Sequence, residues 1–304
     1  MLPKVSIIIP TYKRALTLDR AIESVLNQTY DNIEIFIIDD NNPDTIEREQ
    51  TKEVMEKYSD NSKVIYLKHD RNKNGSAARN TGIKHSTGKY ITFLDDDDEM
   101  FPEKLKSQVE KMEELDETWG ACYTSYVKEM ADGSFQRGTE NREGNLIVEA
   151  LMRTLYIYAG SNLMVRRNIV EEINGFDESF MRNQDLEFLV RILKNYKIAY
   201  VDTCGLLMHY DLRITSLSYE RCMEIDNIFI EKFKPWIDEL NSNEQYKVYC
   251  VIGLEKIKTA IICKKTQEIY KICRKYKLNI LCVFKYLIYL FKRKCTNTCY
   301  GFRL

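Results

Sequence analysis

Residues 89–102 read KYITFLDDDDEMFP, and the interpretation of the whole chain depends on this stretch. The apolar run at 90–94 is bounded by polar residues, which is typical of a buried β-strand. It leads directly into four consecutive aspartates, 95–98. Four adjacent carboxylates repel one another, so they indicate either a solvated acidic turn or a site for a cation. Mg²⁺ and Mn²⁺ prefer hard oxygen ligands of this kind and are commonly shared with phosphate oxygens.

Strands and helices alternate along the first half of the chain. The strand-like runs are 5–9, 33–38, 64–67 and 90–94, and helical patterns lie between them at 18–26, 45–58 and 75–86. This alternation predicts βαβ units and an α/β fold, with a mostly parallel, Rossmann-like central sheet flanked by helices. From about Tyr219 onward, helices with apolar faces dominate. We therefore expect a catalytic domain at 1–218 and a helical C-terminal extension at 219–304.

Three of the predicted strands end in unusual polar residues. The first is followed by PTYKR at 10–14, the second ends in Asp39 and Asp40, and the fourth ends in the four aspartates. The carboxyl ends of parallel strands meet at one edge of a sheet, where ligands bind in open α/β folds. An aromatic ring, a guanidinium group and two acidic clusters at that edge would suit a nucleoside diphosphate. The ring would serve the base, the carboxylates its N–H groups and the ribose hydroxyls, and a metal ion the phosphates.

Four blocks of sequence, in this order, resemble the family 2 glycosyltransferases, which have the GT-A fold. The blocks are VSIIIPTYKR at 5–14, QTYDNIEIFIIDD at 28–40, NGSAARNTGIKHSTGKYITFLDDDD at 74–98 and GFDESFMRNQDLEFLVRI at 175–192. The resemblance covers roughly 5–218. It implies an inverting hexosyltransferase that uses a nucleoside diphosphate sugar, most often a UDP-sugar, together with Mn²⁺ or Mg²⁺. The implied acceptor is a saccharide or lipid-linked saccharide in surface polysaccharide or glycan biosynthesis.

The resemblance also implies which residues bind the nucleotide. Tyr12 would stack on the base, and Asp40 would accept a hydrogen bond from it. The remaining residues of the base pocket would be Pro10, Thr11 and Arg14.

The same resemblance assigns the residues nearer the reaction. Arg79 would face the nucleotide, and Asp95 to Asp97 would form the DxD element. Within that element, Asp96 would lie near the ribose and Asp97 would bind the metal. Asp185 would be the general base, because a carboxylate within hydrogen-bond reach can take the proton of the attacking hydroxyl. Displacement in a single step would invert the anomeric carbon.

The sequence departs from the family pattern at three places. Residues 41–44 read NNPD where the family often has a Gly-Ser/Thr segment, and Gln184 stands where an acidic residue commonly precedes the base. Arg213 occupies the place of a histidine found in many members, with His209 four residues earlier. An arginine there could hold the diphosphate with two hydrogen bonds, and His209 could still reach the metal.

Two other functions are compatible with parts of the pattern. A sugar-1-phosphate nucleotidyltransferase would need a glycine-rich, arginine-containing loop after the first strand, but no glycine precedes Gly75. A catalytically silent nucleotide-sugar-binding module would have no need of Asp40, Asp97 and Asp185 together. A Rossmann dehydrogenase is disfavoured because no GxGxxG follows the first strand.

The C-terminal region has its own charge and hydropathy pattern. Residues 241–304 contain 14 Lys and Arg against 3 Asp and Glu, although the whole chain has a net charge of −1. The segment 280–291, ILCVFKYLIYLF, is too short to span a bilayer and is followed by the basic residues 292–294. This pattern favours a helix in the headgroup region of an anionic membrane. A helical subdomain packed on the core, or a dimer contact, would also explain it.

The remaining sequence features indicate which binding partners and which cellular compartment to expect. No nucleic-acid recognition module is found, so we expect no nucleic-acid partner. The nine cysteines form no CxxC pair, and no signal-peptide pattern opens the sequence. We therefore expect a cytoplasmic protein with reduced thiols. If the C-terminal helix does contact a membrane, it would bind peripherally to the cytoplasmic face.

Overall fold

A computed structural model of the chain describes residues 2–209 and 217–304. The chain divides into two compact units. The first comprises Met1–Leu146 and Ile157–Asp211, and the second comprises Ile147–Tyr156 and Leu212–Leu304. The expected functional division into 1–218 and 219–304 remains a prediction, because compactness alone does not show which residues are needed for activity.

The first unit is built from a twisted sheet and the helices that cover it. Its strands are β1 (Val5–Thr11), β2 (Ile33–Asp39), β3 (Val64–Lys68), β4 (Tyr90–Phe93), β5 (Asp98–Met100), β6 (Trp119–Glu129), β7 (Phe135–Gly138), β8 (Met164–Arg166) and β9 (Lys197–Met208). Its helices are α1 (Ala15–Leu26), α2 (Ile46–Glu56), α3 (Gly75–His85), α4 (Lys104–Glu114), α6 (Ala159–Asn162), α7 (Arg167–Glu172) and α8 (Gln184–Leu193).

The strands β1 to β4 form a parallel sheet in the order β4-β1-β2-β3. β1, β2 and β4 are largely buried on both faces because the connecting helices cover the sheet, which explains their predominantly apolar sequences. The edge strand β3 is only half-buried. In α1, the residues Leu18, Ala21, Ile22 and Val25 are fully buried, at the spacing of one helical face. The predicted alternation of strands and helices over 5–93 is confirmed.

The remaining strands extend the sheet in mixed directions. β8 is antiparallel to both β4 and β6, and β7 is antiparallel to β6. β9 is parallel to β6 and antiparallel to β5. The turn between β6 and β7 contains Gly133 at φ +76°, and a short hairpin of this kind necessarily reverses the chain.

Three phenylalanines connect the end of β4 with α8. The ring of Phe176 stacks on Phe188 with centroids 4.2 Å apart and meets Phe93 edge-on at 5.1 Å. Phe93 is the last residue of β4, and Phe188 lies in the second turn of α8. The cluster therefore fixes the start of α8 close to the residues that follow β4, although the two segments are about ninety residues apart in sequence.

One lysine lies in the interior of the first unit. Lys104 exposes none of its surface, and its Nζ donates to Oε1 of Gln108 at 2.7 Å and to the carbonyl of Asn162 at 3.4 Å. Burial lowers the pKa of Lys104 from its ordinary value of 10.5 to about 7. Between pH 7 and 10.5 the unfolded chain therefore binds one proton more than the folded chain, so stability rises with pH in that window.

Replacing Lys104 tests whether its lowered pKa makes stability depend on pH. We expect the stability of Lys104→Met, relative to the wild type, to fall by about 1 kcal/mol per pH unit between pH 7 and pH 9, because only the wild type gains from losing the proton. Urea unfolding at several pH values measures this difference. Lys106→Met, on the exposed side of the same helix, should follow the wild type. A constant difference between Lys104→Met and wild type would contradict the prediction.

The second unit consists mainly of helices. They are α5 (Ile147–Leu151), α9 (Tyr219–Asp238), α10 (Ser242–Ile262), α11 (Gln267–Lys275) and α12 (Ile280–Thr296), followed by the short strand β10 (Thr298–Cys299). Asn241 and Glu244 form a capping box at the start of α10. Within the described residues, none of the helices is both long and apolar enough to cross a bilayer.

Candidate active site

The carboxyl ends of β1, β2 and β4 meet at one edge of the sheet. Thr11 lies beside Asp39, and Ile8 lies beside Phe93, in parallel register. The polar residues that follow these three strands therefore share this edge, as the sequence predicted.

The first strand leads to an exposed aromatic ring. Tyr12 leaves 41% of its surface exposed, whereas Thr11 is buried and Pro10 is half-buried. The Nζ of Lys13 lies 5.3 Å from the centroid of the Tyr12 ring. An exposed ring at the edge of the sheet is available to stack on a base, which is the role predicted for it.

The carboxylate of Asp40 is surrounded by donors. Its Oδ1 lies 2.7 Å from Nδ1 of His69 and accepts from the backbone N–H of Lys73 at 2.8 Å. Its Oδ2 accepts from Nδ2 of Asn72 at 2.8 Å and from the backbone N–H of Asn74 at 3.0 Å. Asp40 thus orders the loop that leads into α3, a role that sequence reasoning missed. Its contact with the base stays a prediction.

Arg14 connects two of the four aspartates. Its Nη1 lies 3.1 Å from Oδ1 of Asp96 and 2.7 Å from Oδ2 of Asp97. Burial raises the pKa of Asp96 to about 7, although Arg14 opposes the rise. The Oδ2 atom of Asp96 is buried without a hydrogen-bond partner among the described residues. The contact predicted between Asp96 and the ribose remains a prediction.

The other three aspartates form a group that could hold a metal ion. Carboxylate oxygens of Asp95, Asp97 and Asp98 all lie within 4.8 Å of one another. Asp98 is buried and accepts a hydrogen bond of 2.6 Å from the hydroxyl of Ser161. Burial, followed by the adjacent Asp95 carboxylate, raises the pKa of Asp98 well above its ordinary value. A divalent cation would relieve this repulsion, so the donor set fits Mg²⁺ or Mn²⁺.

Asp98 was not among the predicted metal ligands. The sequence assigned the metal to Asp97 and left Asp98 outside the DxD element. The structure instead brings Asp98 into the cluster through the turn at 95–98, in which its N–H donates to the carbonyl of Asp95 at 3.1 Å.

Arg79 lies between the aspartate cluster and the start of α8. Its Nη2 is 2.6 Å from Oδ1 of Asp95, and its Nη1 donates to Oε1 of Gln184 at 3.2 Å. The guanidinium also lies over the ring of Phe176 at 5.5 Å. Gln184, which departs from the family pattern, thus contributes by holding Arg79. The predicted contact between Arg79 and the nucleotide remains a prediction.

Asp185 lies in a cleft of about 320 Å³ together with Arg79 and Asp95. Its carboxylate is in the first turn of α8, where the helix dipole favours negative charge. Burial nevertheless raises the pKa of Asp185; Arg79 opposes the rise and Asp95 adds to it. A carboxylate with a raised pKa is a better proton acceptor, as a general base requires.

The cleft also contains residues that sequence reasoning missed. They are Tyr158, Gly160 and the segment 181–183. Tyr158 has a positive φ of 57° at the start of the helical turn that carries Gly160. The segment 181–183 directly precedes the predicted base and could have been found by its position, whereas nothing in the sequence around Tyr158 marks it.

His209 is occupied by acidic partners. Its Nε2 lies 2.5 Å from Oε1 of Glu99, and its Nδ1 lies 3.0 Å from Oε2 of Glu129. The structure therefore does not place His209 in the group formed by Asp95, Asp97 and Asp98. Arg213, the residue predicted to hold the diphosphate, lies outside the described residues.

Several glycosyltransferases are similar to this chain in sequence. The chain is 24% identical, over 94% of its own length and 89% of the relative, to a GalNAc(5)-diNAcBac-PP-undecaprenol beta-1,3-glucosyltransferase of Campylobacter jejuni. It is 27% identical to the Escherichia coli UDP-Glc:alpha-D-GlcNAc-diphosphoundecaprenol beta-1,3-glucosyltransferase WfgD, over 83% of this chain and 94% of that one. By contrast, it spans only 18% and 32% of two uncharacterized glycosyltransferases, of Rickettsia bellii and Rickettsia felis respectively.

Solved structures agree with the fold. Staphylococcus aureus TarS 1–349, in complex with UDP-GlcNAc, superposes with a TM-score of 0.63 at 16% identity, covering 85% of this chain and 72% of TarS. Residues 6–174, more than half of the chain, match the sequence pattern described as Glycosyl transferase family 2. The chain therefore belongs to glycosyl transferase family 2 and has the GT-A fold.

Proposed function

We propose that this glycosyltransferase moves a sugar from a UDP-sugar to a hydroxyl of a lipid-linked saccharide, with a divalent metal and with inversion at the anomeric carbon. One observation carries the proposal. A Cβ atom placed on Gly160 would lie 3.4 Å from Oδ2 of Asp95 and 4.0 Å from Oδ2 of Asp185. The carboxylates assigned to the leaving group and to the acceptor thus lie on either side of one small residue and line the same cleft.

The relatives support the donor and the stereochemistry. The E. coli relative is named for UDP-Glc, and both named relatives are beta-glucosyltransferases. Because the glucose of UDP-Glc is α-linked, formation of a β-linkage corresponds to a single inversion. UDP-glucose is therefore the first donor that we propose for this chain.

The residues of the site have distinct parts in the proposed reaction. Tyr12 stacks on the uracil, and Asp96 accepts from a ribose hydroxyl with its unpartnered Oδ2. Asp185 accepts the proton of the acceptor hydroxyl as that oxygen attacks the sugar. Arg79 keeps Asp95 and the start of α8 at a fixed separation.

The aspartate cluster would hold the metal in this scheme. A divalent cation bound by Asp95, Asp97 and Asp98 would neutralise the charge that develops on the diphosphate leaving group. Burial, and after it the neighbouring Asp95 carboxylate, raises the pKa of Asp98, and a divalent cation would favour the ionised form.

The proposed acceptor connects the enzyme with a membrane. Both named relatives act, by their names, on saccharides attached to undecaprenol through a diphosphate. An acceptor of this kind stays in the bilayer through its lipid. We therefore propose that the enzyme works at an anionic membrane surface and contacts it through the C-terminal helices.

A donor screen tests the function. The full chain is incubated with an undecaprenyl-diphosphate-linked saccharide and either UDP-Glc, UDP-GlcNAc or GDP-mannose, with Mn²⁺, with Mg²⁺ or with EDTA. We expect transfer from UDP-Glc, a β-linked product and loss of turnover in EDTA. Full turnover in EDTA would contradict the metal, and an α-linked product would contradict inversion. A preference for GDP-mannose would contradict the UDP-sugar donor.

A further inference from the structure

Helix α12 displays a continuous apolar face to solvent. Each of its six large aliphatic and aromatic side chains on this side is between 39% and 84% exposed. These residues, which we call the outer face, are Ile280, Leu281, Phe284, Leu287, Ile288 and Phe291. Their spacing of three or four residues places them on one side of the helix. Contiguous exposed apolar surfaces of this kind mark interaction sites.

The opposite side of α12 is already packed. The hydroxyl of Tyr286 donates to Oε1 of Glu255 at 2.6 Å, and its ring meets that of Phe302 at 5.1 Å. The hydroxyl of Tyr289 donates to the carbonyl of Tyr300 at 2.5 Å. The helix is thus fixed within the second unit by its inner side. The outer face is therefore surplus to the core of that unit and is held in one orientation.

The charges beside the outer face are uniformly positive. Residues 264–304 contain eleven Lys and Arg and one Glu. Three exposed lysines of α12 border the outer face, Lys285 and Lys292 on one side and Lys294 on the other. None of these three makes a salt bridge within the described part of the chain. An apolar strip bordered by unpaired cations is complementary to a layer of anionic headgroups above hydrocarbon.

We propose that α12 lies flat on an anionic bilayer, with the outer face inserted at the boundary between headgroups and acyl chains and its three lysines on the lipid phosphates. A second copy of the chain is a poorer occupant of this face, because pairing two such faces would bring both sets of lysines together. The inference deepens the proposed function by naming the surface that meets the membrane. The inference rests on the proposed function, because a lipid-linked acceptor is the reason for the enzyme to bind a membrane. Vesicle binding tests it without any measurement of sugar transfer.

Vesicle binding by the full chain tests the surface. We expect binding to phosphatidylcholine vesicles that contain about one third phosphatidylglycerol, and about tenfold weaker binding to phosphatidylcholine alone. Phe284→Ser combined with Phe291→Ser should weaken binding to the anionic vesicles by about tenfold or more. Lys285→Gln, Lys292→Gln and Lys294→Gln together should remove most of the preference for anionic lipid. As a matched control, Leu16→Ser with Phe135→Ser changes two exposed apolar residues of the first unit and should bind like wild type.

Two further measurements separate the outcomes. The double phenylalanine variant should retain wild-type transfer to a short-chain, water-soluble acceptor, which shows that it is folded. If the wild type lacks this transfer but binds vesicles through the outer face, the proposed function fails and the membrane surface stands. Equal vesicle binding by the double variant and the wild type would overturn the inference. So would a concentration-dependent dimer in sedimentation that the double variant abolishes, because a second copy would then cover the outer face.

Discussion

Asp185→Asn is expected to abolish sugar transfer while leaving UDP affinity within about twofold of the wild type. The asparagine has nearly the same shape but cannot accept the proton of the attacking hydroxyl. Loss of a general base lowers a rate by roughly 10²–10⁴-fold. The effect should appear in kcat, because Asp185 is not part of the aspartate cluster at 95–98 and lies at the start of α8.

The surroundings of Asp185 make this a specific expectation. Burial raises the pKa of its carboxyl, so the ionised form is a stronger base than an exposed aspartate. Arg79 prevents the rise from being larger and is itself held by Asp95 and Gln184. Asparagine at 185 keeps the helix start polar, so the fold should be retained.

The measurement separates binding from chemistry. Calorimetry with UDP and Mn²⁺ gives the affinity, and single-turnover transfer from UDP-Glc gives the chemical rate. Asp60→Asn, which changes an exposed aspartate in the same unit, should leave both unchanged. Transfer by Asp185→Asn at more than a tenth of the wild-type rate would show that another group takes the proton.

The parallel half of the fold could be predicted because local pattern and burial agree there. The run at 35–38 is apolar throughout because helices cover both faces of the sheet, and Asp39 and Asp40 mark where it reaches the binding edge. The directions of β8 and β9 could not be predicted in this way. They depend on pairings with β4, β5 and β6 that join residues far apart in sequence.

The predicted site was incomplete for a similar reason. The family pattern pointed to Asp97, but the inclusion of Asp98 depends on the turn at 95–98 and on Ser161, which is 63 residues away. The donors around Asp40 come from 69–74, and no spacing rule connects them with the end of β2. Periodicity gives the faces of helices and strands, whereas side-chain networks of this kind are fixed by tertiary contacts.

Asp97→Asn is expected to remove metal-dependent UDP binding and, with it, sugar transfer. An amide oxygen is a weaker ligand for a divalent cation than a carboxylate, and it leaves the cluster with one negative charge fewer. Changes around metal sites that are less direct than this cost about 10- to 100-fold in affinity or activity. We therefore expect Mn²⁺ to raise the UDP affinity of wild type at least about tenfold more than that of Asp97→Asn.

Asp98→Asn tests whether Asp98 belongs to the metal site, as the structure indicates, or whether Asp97 binds the metal without it, as the sequence predicted. If only Asp97 bound the metal, Asp98→Asn would leave the Mn²⁺ dependence of UDP binding intact, because the amide could still accept from Ser161. If the cluster of Asp95, Asp97 and Asp98 holds the ion, Asp98→Asn should weaken that dependence about as strongly as Asp97→Asn. Calorimetry with UDP over a range of Mn²⁺ concentrations compares them, with Asp60→Asn as the charge-matched control. Undiminished Mn²⁺ dependence in Asp98→Asn would exclude its carboxylate from the metal site, since only the charge and one oxygen ligand have been removed.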